Sequence, residues 1–358
     1  MRIILAGICV CLLFLTTVQI GVSQPAELPT WDIGDTWAMG TSDIDLTFAM
    51  TSEGITFDTT VSGSYYVVYE VVGIEEQEYM VDATGGIEIT MDMDISGQAS
   101  GSMQMEMVTK MDGTLYYTKD ELAVNRADVA MGLEIEFSGS FMAEGQTGSL
   151  DGSLDASSDM SITYNPPFDL FDFPITVGES WTTESVATVT GSVSGSVSIK
   201  VKAAGEDYSI SEPISEPIYE TVDMSLSVSC PGTVDIPLAS TCYKLVVSGT
   251  GLAQASPFMP AETLYYSPDR GFIIASEASF SEALSGASLG LEESIPYLGD
   301  ITWGEEAITS SSVTEQEAQD ALAGMGAKGI DLVLIGAIVA IVIVAIAAVL
   351  VVVRRRLA

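Results

Sequence analysis

A two-residue alternation of apolar and polar side chains runs through most of this chain. It is clearest over residues 87–96, where the odd positions are Ile or Met and the even positions are acidic or hydroxyl residues. Similar runs occur at 103–107, 133–137 and 193–201. Successive side chains of a β-strand point to opposite faces, so this pattern predicts half-buried antiparallel strands, separated by Gly- and Ser-rich turns. The alternation therefore predicts an all-β fold.

Two short motifs occur twice, in the same order. Residues 33–37 (Ile-Gly-Asp-Thr-Trp) are echoed by 177–181 (Val-Gly-Glu-Ser-Trp), and 114–120 are echoed by 263–269. The offsets of 144 and 149 residues are nearly equal. Because a fixed offset is typical of duplicated units, the echoes predict two tandem related antiparallel β domains. We place them at residues 24–160 and 175–300, joined by an aromatic, proline-rich linker at 161–174.

Apolar segments lie near both ends of the chain. Residues 1–23 have the charge, length and small-residue ending of a signal peptide. Leu332–Val353 contains 22 consecutive uncharged residues, and we predict a transmembrane helix over residues 330–353 that binds membrane lipid. Arg354, Arg355 and Arg356 flank it and place the short tail, 354–358, in the cytoplasm. The expected product is a single-pass cell-membrane protein whose N-terminal ectodomain is extracellular.

A short stalk, residues 301–329, is expected between the second domain and the membrane. Within it, Thr314 and Glu317 have the spacing of a capping box, which predicts the start of a helix. The ectodomain is therefore expected to lie close to the membrane.

Charge and composition exclude several classes of function. All but one of the 50 acidic residues and eight of the 12 basic residues lie between positions 24 and 329. Such an acidic protein repels nucleic acid, so nucleic-acid binding is excluded, and it attracts cations weakly. The acidity is explained either by a hydration shell suited to salty surroundings or by cation binding. The chain has no histidine, which excludes Ser-His-Asp catalysis and His-containing zinc sites.

Two cysteines remain once the signal peptide is removed, Cys230 and Cys242. An extracellular location is oxidising, so we predict one disulfide between them. Two thiolates cannot complete a structural zinc site.

Five methionines form a stripe at alternating positions, which puts their side chains on one face of the sheet. They are Met91, Met93, Met103, Met105 and Met107. This pattern favours core filling, with an adaptable apolar groove or a thioether site for Cu(I) as alternatives. Asp92–Gly97 resembles the start of a calcium loop, but Met103 occupies the position of the bidentate glutamate, so a solvated strand face is the better interpretation.

Three motifs resemble uncharacterised archaeal membrane-anchored cell-surface proteins with β-rich ectodomains. They are the Gly-Asp/Glu-Ser/Thr-Trp motif, residues 171–178, and the Tyr-Tyr-Ser-Pro-Asp-Arg-Gly hairpin at 265–271. Those ectodomains are loosely similar to the half-barrels of lipoprotein-sorting carriers, and the resemblance implies an apolar groove. It assigns no functional residue.

The sequence thus predicts a non-catalytic cell-surface binding or structural ectodomain, without a cofactor. A carrier or receptor for an apolar ligand is the first alternative, and its partner would be that ligand or a surface protein. A carboxylate-dependent hydrolase is the second, although no pair of acids can be singled out among so many.

Overall fold

The computed structural model describes residues 24–52, 54–143, 145–203, 205–239, 241–250, 262–279, 300–303 and 307–325. These contain thirteen β-strands and one helix. In chain order the elements are β1 Thr36–Ser52, β2 Ile55–Ile74, β3 Glu78–Gly97, β4 Ala99–Thr118, β5 Val124–Ala143, β6 Gln146–Phe168, β7 Ser180–Ala203, β8 Glu206–Asp235, β9 Thr241–Thr250, β10 Thr263–Ser267, β11 Phe272–Ser279, β12 Asp300–Trp303, β13 Ala307–Ser312 and α1 Glu315–Gly324.

All thirteen strands belong to one antiparallel sheet. From β2 to β11 each strand pairs with the next strand of the chain. β1 pairs with β2 on one edge and with β12 and β13 on the other, and β13 pairs with β11. The sheet therefore closes on itself, and its inner face encloses the core.

The closed sheet has two distinct ends. Strands β2 to β8 each contain at least 20 residues, which corresponds to roughly 65 Å or more. We call the end with the hairpin turns β1–β2, β3–β4, β5–β6 and β7–β8 the tip. The opposite end, where β1 and β7 begin, is called the base.

The structure corrects the predicted fold class. β6 and β7 lie on opposite sides of the predicted domain boundary, yet they pair continuously from Gly148↔Ala203 to Asn165↔Val186. Much of the predicted linker is strand, because β6 extends to Phe168. The two predicted domains are therefore one sheet around one core.

The predicted signal peptide and transmembrane helix lie outside the residues that the structure describes. In the part of the chain that the structure describes, no helix is long and apolar enough to cross a membrane. Residues 1–23, the segment 330–353 and Arg354, Arg355 and Arg356 lie outside the described residues.

The repeated motifs nevertheless occupy equivalent places within the single sheet. Gly34 and Gly178 precede β1 and β7, and both have a left-handed backbone, with φ of 92° and 93°. The amide of Gly34 donates to the carbonyl of Val71 over 2.8 Å, and the amide of Gly178 donates to the carbonyl of Cys230 over 2.7 Å. The same turn therefore starts both strands, and only glycine adopts this φ without strain.

The tyrosine hairpins are equivalent as well. In β4–β5 the register shifts between Tyr116 and Tyr117, and in β10–β11 it shifts between Tyr265 and Tyr266. Five residues after the second tyrosine, the backbone again has a positive φ, at Leu122 and Gly271. The echoed motifs therefore form the same local structures at two places in one sheet.

Two chain segments close the base. Residues 24–35 and 169–179 meet there through a bridge in which the amides of Ala26 and Ile175 each donate to the other's carbonyl over 2.9 Å. Trp31 of the first segment is 2% exposed. Its ring lies 5.1–5.6 Å, between centroids, from the rings of Trp37, Tyr79, Tyr117 and Phe272. This aromatic packing fills the base end of the core.

Helix α1 packs against the outer face of the sheet. Ala318, Leu322 and Met325 form a small cluster with Ala38 and Tyr66 of β1 and β2. The predicted helix start is confirmed, because the Thr314 hydroxyl accepts a hydrogen bond from the amide of Glu317 over 3.2 Å.

Candidate functional site

The methionine stripe lies on the inner face of β3 and β4. Met91 is the register partner of Met105, and Met93 is the partner of Met103. All five methionines of the stripe are at most 5% exposed. They are part of the packed core, as the favoured sequence interpretation expected, and this burial does not favour a groove open to solvent.

The core around the base is filled by side chains. The apolar cavity lined by Leu115, Tyr117, Leu122, Phe168 and Phe272, among others, measures about 30 Å³. That is room for about one water molecule, far below the several hundred Å³ of a ligand pocket.

Aromatic side chains fill the interior between β5 and β6 by covering glycines. Phe137 faces its register partner Gly152, and Phe141 faces Gly148. A Cβ atom on Gly152 would lie 2.1 Å from Cζ of Phe137, and one on Gly148 would lie 2.3 Å from Cζ of Phe141. The absent side chains therefore leave the space that the rings occupy.

The outer face carries carboxylates directly opposite one another. The register pairs are Asp58↔Asp94, Glu106↔Glu136 and Glu134↔Asp155. All six residues are exposed, and like charges at such positions repel. In the described residues one ion pair is formed, between Lys244 and Glu277 at 3.9 Å.

Shallow polar depressions cover this outer face. One of 360 Å³ is lined by Glu106, Glu136, Asp151 and Lys200, among others. General acid catalysis by a carboxyl of raised pKa requires a cleft that excludes water. These carboxylates lie instead on an exposed sheet surface.

The calcium-like segment Asp92–Gly97 lies in strand β3. Within the described ranges, no group of three or more His, Cys, Asp or Glu side chains is arranged to hold a metal ion.

The predicted disulfide is absent. Cys230 and Cys242 are both buried thiols, and no bond joins them. Ser229 pairs with Val246 and Val234 pairs with Cys242, so the two cysteines are offset by about three residues, or roughly 10 Å, along the strands. A disulfide requires Cα atoms within about 7 Å. Burial raises the pKa of both thiols, which lowers their reactivity.

The carboxyl of Asp169 is partly removed from water. It lies in the segment that closes the base, and burial raises its pKa to about 6, an effect that the hydrogen bond from the Phe171 amide partly offsets. The nearby charges of Glu121 and Asp172 raise the pKa further. Both of these charged neighbours are acids that repel the Asp169 carboxylate, so this arrangement is a local electrostatic strain.

The two N-terminal tryptophans border a polar groove of 470 Å³ at the base. Their indole N–H groups donate to the β10–β11 turn: Trp37 to the carbonyl of Arg270 over 2.7 Å, and Trp31 to that of Gly271 over 3.1 Å. Both rings are nearly fully buried. They therefore anchor the turn and do not present a stacking surface to a ligand.

Comparisons with known proteins add no assignment, since no protein-family model, curated protein or solved structure matches this chain.

Proposed function

We propose that this chain is a non-catalytic structural or binding protein of the cell surface, with its closed sheet outside the cell and the apolar segment Leu332–Val353 associated with the membrane. The observation that carries the proposal is the filled interior. The core is occupied by the methionine stripe, by Phe137 and Phe141 over their glycine partners, and by the aromatic side chains around Trp31 at the base. The apolar cavity at the base measures about 30 Å³.

A filled core leaves the outer surface as the part available for interaction. That surface is a long, acidic sheet face with small hydroxyl side chains. Such a face suits a rigid spacer, or a partner that carries positive charge. The carrier alternative needs an internal space for its ligand, and the carboxylate hydrolase needs a cleft; the described residues supply support for neither.

Native mass spectrometry of the full-length chain, released from membranes in detergent, tests the function. We expect the mass of the polypeptide with no stoichiometric apolar molecule retained. A lipid or other apolar molecule retained at one copy per chain, after detergent exchange, would favour a carrier instead.

Protease treatment of intact cells tests the location separately. We expect digestion of the region 24–329, with a fragment containing Arg354, Arg355 and Arg356 protected. Full protection of the closed sheet would contradict an extracellular location.

A further inference from the structure

Exposed apolar side chains are concentrated at the base of the closed sheet. Of the ten large apolar or aromatic side chains that are exposed in the described residues, six lie at this end. They are Ile33, Val72, Ile74, Val177, Val234 and Leu238. Single exposed apolar residues are ordinary on a protein surface, but a concentration at one end indicates an interaction surface.

The six side chains lie at two places on opposite sides of the base. Ile33, Val72 and Ile74 lie where β1 pairs with β2, and the other three lie around the start of β7 and the end of β8. Six strand-to-strand steps separate β1 from β7 in either direction around the closed sheet. A broad, flat partner can therefore contact both places at once.

The fold holds apolar side chains in solvent at both places. Ile33 and Val177 occupy the same position of the echoed motif, directly before Gly34 and Gly178, and both are exposed. Leu238, in the turn between β8 and β9, is 62% exposed and has a φ of 63°. This backbone conformation is unfavourable for a residue with a Cβ atom.

The seat of helix α1 lies closer to the base than to the tip. Met325 and Leu322 pack over Gly86 of β3, where an added Cβ atom would lie 2.8 Å from Sδ of Met325. Gly86 is the register partner of Tyr66 in β2, and Tyr66 is the partner of Gly40 in β1. Gly40 lies four residues after the start of β1 and twelve before its end. Along the strand these distances are roughly 13 Å to the base and roughly 40 Å to the tip.

The length of chain between α1 and the apolar segment then selects the base. Leu332 follows Met325 by seven residues, and seven extended residues span at most about 25 Å. A strand tilt of about 40° shortens the tip distance only to roughly 30 Å. While α1 stays in its seat, Leu332 can therefore reach the level of the base but not the level of the tip. A bilayer that holds Leu332–Val353 consequently lies on the base side of the sheet.

We propose that the base is the membrane-facing end of the closed sheet, and that its exposed apolar side chains enter the surface of a bilayer with neutral head groups. The proposal rests on the proposed association of Leu332–Val353 with the membrane. Because that segment tethers the sheet, the base is held at a high effective concentration near lipid, and a few apolar side chains suffice for contact. Exposed carboxylates of Asp32, Glu75, Glu76 and Glu179 flank the apolar groups, so anionic head groups would repel this end.

Photocrosslinking in lipid vesicles tests the proposal. The full-length chain is reconstituted in phosphatidylcholine vesicles with p-benzoylphenylalanine at one position: Ile33 or Leu238 at the base, Met142 at the tip, or Ile343 in the apolar segment. Met142 is the matched control, because it is also an exposed apolar side chain but lies at the other end. We expect lipid adducts at both base positions to be on the order of tenfold more abundant than at Met142, since burial of an isoleucine or leucine side chain is favoured by about that factor.

The outcomes separate this proposal from the membrane association on which it rests. Adducts at Ile343 without adducts at Ile33 and Leu238 would leave the membrane association intact and refute the orientation. Crosslinks from Ile33 or Leu238 to a second copy of the chain, in place of lipid, would assign the base to an interface between copies and would also refute it. A chain without lipid adducts at Ile343 would overturn both proposals.

Head-group charge gives a second measurement. Replacing phosphatidylcholine by phosphatidylglycerol should lower the adduct yield at Ile33 and Leu238 several-fold, because the flanking carboxylates are repelled, and should leave the yield at Ile343 unchanged. A yield at the base that rises with phosphatidylglycerol would contradict contact with neutral head groups.

Discussion

Substitution of Gly152 by Ala is the sharpest test of the filled interior. The added Cβ would lie 2.1, 2.6 and 2.8 Å from Cζ, Cε2 and Cε1 of Phe137. Ordinary contacts between carbons begin near 3.5 Å, so the ring must move by more than 1 Å. Phe137 is 7% exposed, and its surroundings are packed by the neighbouring strands.

The expected cost follows from two opposing terms. Overpacking a core position costs about 1–3 kcal/mol, while replacing glycine in a strand interior stabilises by roughly 0.5–1 kcal/mol. We therefore expect Gly152→Ala to lower the free energy of unfolding by about 1–2 kcal/mol, or the midpoint of thermal unfolding by roughly 2–6 °C.

A double-mutant cycle separates the clash from other effects. Leucine at position 137 lacks the three ring carbons that collide, so Gly152→Ala in a Phe137→Leu background should be neutral or stabilising by about 0.5 kcal/mol. Gly232→Ala is the control, because a Cβ atom added at Gly232 would have no neighbouring atom within 4 Å and the change should be close to neutral. Thermal and denaturant unfolding of the full-length chain in detergent measure all four variants. Equal costs in both backgrounds would refute the proposed packing of Phe137 over Gly152.

Three further predictions concern charge and thiols. The raised pKa of Asp169 means that its folded carboxyl binds a proton more tightly than the unfolded one, so stability falls as pH rises from about 4 to about 6. Asp169→Asn should remove that fall and raise the free energy of unfolding at pH 7 by roughly 1 kcal/mol after allowance for solvent screening. If variant and parent differ in stability by the same amount at every pH from 4 to 7, the pKa of Asp169 is not raised. Glu136→Lys turns the repulsive pair with Glu106 into an attractive one and should stabilise by roughly 0.5 kcal/mol at low salt, with the gain shrinking in 1 M salt; a gain that salt leaves unchanged would argue against a charge effect. Cys230 and Cys242 should both react with a maleimide in denaturant without any reductant, but only slowly in the folded chain; a need for reductant would show a disulfide.

Local features of this protein follow from the sequence because they depend on a few neighbouring residues. The two-residue alternation identified the buried faces of β3, β4 and β5, and Thr314 identified the start of α1. The echoed Gly-Trp motifs located two turns with the same positive φ.

Strand pairing was decided only by the tertiary structure. An alternating strand presents the same faces whether its neighbour lies in its own half or in the other, so the echoes could not show that β6 pairs with β7 and that two halves share one core. For the same reason the sequence could not show how far Cys230 and Cys242 are offset along the strands, which a bulge and the register determine. Pairing energy comes from contacts between residues far apart in the chain, and one local alternation pattern is compatible with many registers. In the closed sheet, the apolar faces of the strands are buried together.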